Sequence, residues 1–272
     1  MTKHSVPEGA RELAVETAKA AGAILRERLS LDRQIDYKGA IDLVTDSDRA
    51  SEELIATAIL ERFPEHRFVG EEATFLSGDT PAGTELYSWL VDPLDGTTNY
   101  AHRYPHFAVS IGLEHAGQII LGVVYDPMRD ELFVAERGEG ATLDGQPIQV
   151  SAIDRVERSL LGTGFAYDAD GRAENARVWN GFLSRTQGVR RDGSAALNLC
   201  YVACGRLDGF WERPLNAWDM AAGSLLIEEA GGIVTGYAGS PFGPYRREVI
   251  AANPALYDEL AALVNQLSNA DG

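Results

Sequence analysis

Near the start of the chain, Leu13, Ala20, Ala21, Ile24 and Leu25 recur at helical spacing behind a helix-start signature of Ser5, Pro7 and Glu8. A second helix is predicted over about residues 47–63, with Leu54, Ile55, Ala58 and Ile59 inward and Pro64 just beyond its end. The period then shortens. "HRFVGEE" and "SWLVDP" read as short strands ending in acids, and "FAVSIGLEHAGQIILGVVYD" followed by "ELFVAERGEGATL" reads as antiparallel strands joined by glycine-containing turns. Farther on the pattern alternates. Helices are predicted over about 175–186, 194–204, 218–230 and 254–267, and between them lie the strands "GVRRD", "DGFWE", "GIVTGY" and "EVIAAN". Strands mixed with helices of this length indicate α/β or α+β layering. With no Pro/Ser-rich linker or internal repeat, residues 1–272 are expected to form one cooperative unit, a first half to about 150 and a second over 151–272.

The chain has 272 residues, 45% of them hydrophobic, which is enough for a sizeable core. Its longest apolar runs, such as "QIILGVVY", are too short to span a bilayer, and no secretory signal opens it, so a soluble cytoplasmic protein is expected. Cys200 and Cys204 lie one helical turn apart among small apolar neighbours and read as a buried structural pair. The formal net charge of −17 argues against nucleic acid and anionic lipid as partners. An anionic substrate would then need a local attractor, and a bound cation supplies one.

Three acidic stretches fall where open α/β folds place ligands, at strand ends and helix starts. They are Glu71-Glu72 after "RFVG", Asp92 and Asp95 after "WLV", and Asp219 at the head of "WDMAAGSLLIEEAGG". Each alone has an ordinary explanation: a solvated loop charge for the glutamates, a turn start for Asp92, a helix cap for Asp219. "DPLDGTTNY" is harder to read that way. Proline fixes φ, so Asp92 and Asp95 are expected on one tight turn with the Leu94 carbonyl between them, offering a hard cation three oxygens. Gly96 allows close backbone approach, and the amides of Gly96, Thr97 and Thr98 are expected to open a helix whose N-terminus suits a phosphate.

With "DLVTDSD" (42–48), "GEE" (70–72), "DPLDGTTNY" (92–100), "RRDGSAAL" (190–197) and "WDMAAG" (218–223) in this order, the sequence resembles the Mg²⁺-dependent, lithium-sensitive inositol monophosphatase family over nearly its whole length. The resemblance implies a layered αβαβα sandwich and a homodimer. It implies two or three Mg²⁺ ions on Glu71, Asp92, the backbone oxygen of Leu94, Asp95 and Asp219. Thr97 and Asp48, with Glu71, would orient and deprotonate the attacking water. The substrate, a small phosphorylated polyol, would meet Gly96 and Thr97 at its phosphate, Asp95 at a hydroxyl, and Gly193, Ser194, Ala195, Glu212 and Asp219 elsewhere. Lys38 and Glu72 would stand behind this set, Lys38 near the water network.

The activity so implied is hydrolysis of inositol monophosphate to inositol and phosphate by metal-activated water. Two departures loosen the choice of alcohol: "RPLNA" stands between Glu212 and Trp218 where inositol-specific animal members carry a glycine and a histidine, and Arg213 adds a charge on the expected leaving-group side. Fructose 1,6-bisphosphate and histidinol phosphate are therefore the alternative substrates, and a non-catalytic partner protein keeping the fold is the alternative class. Glycoside hydrolysis is disfavoured, because its paired acids must straddle a sugar ring. Trp211 and Trp218 read as packing anchors, and the five histidines show no zinc spacing.

Overall fold

The computed structural model describes residues 5–31, 35–37, 43–72 and 86–269. Helix α1 (Ala10–Arg28) begins behind Gly9, later than the Ser5 signature implies, and buries a stripe of Ala10, Ala14, Ala18, Ala21 and Leu25. Ala20 faces solvent, off that stripe. A short antiparallel pair, β1 (Ile35–Tyr37) and β2 (Leu43–Thr45), leads into α2 (Asp46–Arg62). There Thr45 and Asp48 form a capping box that satisfies free N–H groups of the first turn.

Seven strands follow as one sheet, in spatial order of sequence: β3 (Arg67–Gly70), β4 (Tyr87–Asp95), β5 (Ala108–His115), β6 (Gln118–Asp126), β7 (Glu131–Glu136), β8 (Gly140–Leu143) and β9 (Gln146–Pro147). β3 runs parallel to β4 and the remaining pairs are antiparallel. A single turn, α3 (Thr97–Ala101), separates β4 from β5.

The second sheet has the order β11-β10-β12-β14-β13, built from β10 (Leu160–Thr163), β11 (Gly188–Arg190), β12 (Gly209–Glu212), β13 (Ile233–Thr235) and β14 (Val249–Ala252). β10 pairs parallel with β11 and β12, whereas β14 pairs antiparallel with β12 and β13. Its helices are α4 (Ala169–Leu183), α5 (Ala195–Ala203), α6 (Ala217–Glu229) and α7 (Tyr257–Ser268). α4 starts six residues before the pattern predicts, because Asp168 caps it by accepting from the Gly171 N–H at 2.8 Å. β10 is absent from the sequence reading; its four residues, two of them Leu and one Gly, carry no alternation.

Three cores give the layers. Trp89, Val91, Ile111 and Val123 face α1 and α2 with Leu25, Ile55 and Ile59. Their neighbours Leu90, Val124 and Phe133 point the other way, into α5 and α6 and on to Phe210, Val249 and Ala251 of the second sheet. The outer face of that sheet carries α4 and α7, where Trp211 stacks on Phe182 at 4.3 Å between ring centres. The order is therefore helices, sheet, helices, sheet, helices, the expected αβαβα sandwich. Because the central strands are covered on both faces, they read as nearly continuous apolar runs.

The middle layer sets the site, since α6 lies tightly on the seven-stranded sheet. A Cβ added at Gly122 of β6 would sit 2.7 Å from the Ala222 carbonyl oxygen and 3.0 Å from its Cα, both backbone atoms that cannot turn aside. Gly122→Ala is expected to destabilise by about 1–3 kcal/mol through overpacking, read as a lower melting temperature. Gly243→Ala, where the nearest atom would be a flexible arginine side chain at 3.7 Å, is expected to stay within about 0.5 kcal/mol. Equal losses at the two positions would contradict this packing.

Candidate active site

Strand β4 delivers two buried acids, Asp92 and Asp95, at its end. The register shifts between them, so the expected turn is a bulge in the ladder with β5. Pro93 has no N–H to give the ladder, and Asp92 Oδ1 accepts instead from the Leu94 N–H at 2.9 Å. Asp95 is held by the other half of the molecule. It accepts from Ser194 Oγ at 2.5 Å, from the Ala196 N–H at 2.8 Å and from the Ala195 N–H at 3.3 Å, at the start of α5. Asn99 Nδ2 adds a tie, donating to the carbonyls of His106 at 2.8 Å and Asp192 at 2.7 Å.

Asp219 occupies the first turn of α6 but is not its cap. Asn216 is, and Asp219 Oδ2 accepts from the Asn216 N–H at 2.6 Å in a capping box. Glu71 follows β3, its N–H bonded to the Val91 carbonyl at 3.2 Å. The next residue is fixed by Glu52 of α2, a buried acid whose Oε2 accepts from the Glu72 N–H at 2.8 Å. Glu52 escaped the sequence reading. The signal was there, one helical turn after Asp48 on the inward face.

Asp92, Asp95, Asp219 and Glu71 line one cavity of about 470 Å³. Around it stand Glu71, Asp92, Leu94, Asp95, Gly96, Thr97, Gly193, Ser194, Ala195, Glu212 and Asp219, every residue expected to meet metal or substrate. Asp48 is buried behind Thr97. Its Oδ1 lies 3.2 Å from Thr97 Oγ1, while its Oδ2 accepts from the Thr45 N–H at 2.9 Å and the Thr45 hydroxyl at 2.5 Å. Thr97 Oγ1 also reaches the Leu94 carbonyl at 3.1 Å, so its one hydrogen serves either acceptor. Glu72 is not on the cavity wall. Lys38 lies outside the described residues.

Arg213 departs from expectation. It pairs with Glu174 through both Nε, at 2.9 Å, and Nη2, and lies over the Tyr237 ring at 4.4 Å, away from the cavity wall. The arginines that do line the cavity are Arg191, over the Phe165 ring, and Arg247. Also unforeseen on the wall are Thr163, Gly164, Tyr167, Asp168 and Asn198. Glu212 ends β12 against Gly164, where a Cβ would come within 1.9 Å of its carboxylate. Cys200 and Cys204 are free thiols, but only Cys200 is buried; Cys204 is partly exposed, so the expected buried pair is half met. Trp211 and Trp218 pack in cores rather than face the cavity.

Burial dominates the electrostatics. It pushes the Asp92 carboxyl well above its usual range, helped by the charges of Glu71, Asp95 and Asp219. Asp219 is raised by burial and then by Glu71, Asp95 and Glu212, against the Asn216 N–H. Asp95 is raised by burial to about 6, its hydrogen bonds to Ser194, Ala196 and Ala195 limiting the rise. Glu212 is pushed by burial to about 8 despite Arg191. Acids that repel in a cavity open to water suit a small hard cation, and the donor set of carboxylates with one backbone carbonyl is all oxygen. Among the described residues, no three His, Cys, Asp or Glu side chains close into a ready cage. An open arc of acids still fits a cation that keeps waters and shares its shell with a phosphate.

The model described as the inositol monophosphatase family matches residues 7–269. Inositol-1-monophosphatase of Synechocystis sp. is 47% identical over 252 residues, 92% of this chain and 86% of that protein. Nus factor SuhB of Pseudomonas aeruginosa is 40% identical over 259 residues, 93% of this chain and 94% of that protein. The structure of inositol monophosphatase from Anabaena (Nostoc) sp. superposes with a TM-score of 0.82 at 42% identity, covering 94% of this chain and 95% of that one. With the fold, these likenesses make the protein a phosphoric monoester hydrolase acting on a phosphorylated small molecule. The chain belongs to the inositol monophosphatase family.

Asp92, Asp95, Asp219 and Glu212 all hold their protons more tightly folded than unfolded. Folding then takes up protons above the unfolded values near 4, and stability falls as pH rises through the folded ones. The melting temperature of cation-free protein is expected to fall from about pH 5 to 8, with Glu212→Gln flattening its upper part. A divalent cation is expected to raise it more at pH 8 than at pH 5. A cation-free melting temperature that climbs over this range would contradict the reading.

Proposed function

We propose that the protein hydrolyses inositol monophosphate to inositol and phosphate, with Mg²⁺ held by Glu71, Asp92, the Leu94 carbonyl, Asp95 and Asp219. Bound there, Mg²⁺ supplies positive charge to the phosphoryl oxygens and lowers the pKa of water. The chain's own residues do the rest. Thr97 Oγ1 orients the attacking water by accepting from it while donating its own hydrogen to Asp48 Oδ1, 3.2 Å away, in place of the Leu94 carbonyl. Asp48 is the acceptor at the end of that relay. Two bonds from Thr45 fix its other oxygen, so the carboxylate cannot swing away from Thr97. Gly96 and Thr97 meet the phosphate. Ser194, Ala195 and Glu212 face the alcohol, Glu212 presenting a carboxyl to a hydroxyl.

The observation that carries this reading is the hydrogen-bonded pair of Thr97 and Asp48 beside a cavity walled by Glu71, Asp92, Asp95 and Asp219. A threonine hydroxyl alone is a poor base, and the buried carboxylate behind it supplies what it lacks. Inositol as the alcohol is supported by the names of relatives, including the Synechocystis inositol-1-monophosphatase. Arg213 does not argue against it, since its charge is engaged by Glu174. The reading extends to inhibition by lithium and to a homodimer, both carried by the family resemblance.

Phosphate release from inositol 1-phosphate, fructose 1,6-bisphosphate and histidinol phosphate, with and without Mg²⁺, tests it. The wild type is expected to prefer inositol 1-phosphate and to require Mg²⁺. Thr97→Ala and Asp48→Asn are each expected to lower kcat by about 10²-fold or more with little change in KM. Activity that survives chelation, or a Thr97→Ala enzyme at wild-type kcat, would overturn the mechanism. Preference for another ester would overturn the substrate.

A further inference from the structure

α5 is an apolar helix containing one amide. Its buried positions are Ala, Leu, Cys and Val apart from Asn198, which is 1% exposed. Asn198 Oδ1 has no hydrogen-bond partner among the described residues, yet the residue lines the active-site cavity with Thr163, Gly164, Ser194 and Glu212. A buried acceptor with no partner gives up water and gains nothing in return. On the wall of a binding cavity, it marks a place where a ligand's donor fits.

Nearby groups are already engaged. The Thr163 hydroxyl donates to the Trp211 carbonyl at 2.8 Å, and the Ser194 hydroxyl donates to Asp95 at 2.5 Å. Asn198 sits one turn beyond Ser194, its N–H bonded to the Ser194 carbonyl at 3.1 Å. It is thus carried by a helix packed in the core rather than by a loop, as a selective contact needs to be.

We propose that Asn198 binds a hydroxyl of the substrate's alcohol, with Oδ1 accepting its hydrogen, and so favours phosphate esters of polyols over esters lacking free hydroxyls. This inference rests on the phosphomonoesterase reading above. Glu212, on the same wall, supplies a second polar contact.

The test compares kcat/KM for inositol 1-phosphate with that for p-nitrophenyl phosphate, an ester without hydroxyls. Asn198→Leu, similar in size and without polar atoms, is expected to lose about tenfold more on the polyol ester than on the aryl ester, mostly through KM. Asn198→Asp keeps the acceptor and is expected to hold the wild-type ratio within about threefold. Asn198→Ala carries the same comparison should the leucine variant fail to fold. Equal losses on both esters, or none on either, overturn the contact and leave the phosphomonoesterase reading standing. A wild type that releases phosphate from neither ester overturns that reading and this one with it.

Discussion

The carboxylate of Asp95 ends a strand of one sheet and accepts three hydrogen bonds from the start of a helix that packs on the other. Everything at the site is arranged around that joint. It sets α5 against β4, so Gly193, Ser194 and Ala195 face the same cavity as Asp92. The joint is also electrostatically exposed. Each acid brought close to Asp95 raises the energy of the ionised cluster, and burial raises it further. A fold that gathers Glu71, Asp92, Asp95 and Asp219 from two strand ends and a helix start therefore keeps a demand for positive charge in one cavity.

That demand explains how the work is divided. The seven-stranded sheet, α2 and α3 supply Glu71, Asp92, Asp95 and the hydrogen-bonded pair of Thr97 and Asp48, held by backbone, cap and side-chain interactions. The second sheet and its helices supply the far wall, on which Glu212, Asn198 and Arg191 stand. Asp219 belongs to both, since α6 packs on the seven-stranded sheet while its own N-terminus closes the cavity.

Much of this is legible in the sequence because the chemistry is written locally. "DPLDGTTNY" keeps its proline, acids and glycine within a few residues, so it announces a site before any fold is known. The central strands announce themselves too, since both faces are buried and their apolar runs are long. Less legible is whatever depends on partners distant in sequence. β10 is four residues without alternation and makes sense only between β11 and β12. Asn198 looks like one polar residue in an apolar helix until the cavity beside it is seen. Arg213 reads as a charge entering the site, and only the fold reveals Glu174 waiting for it.

The central claim is that Glu71, Asp92, Asp95 and Asp219 are gathered for a divalent cation. Anomalous scattering from crystals soaked in Mn²⁺, collected on the wild type and on Asp92→Asn, tests it most directly. Density is expected among these carboxylates in the wild type, weakened or lost in the variant. An empty cavity in wild-type crystals whose dissolved protein hydrolyses phosphate esters with Mn²⁺ would contradict it.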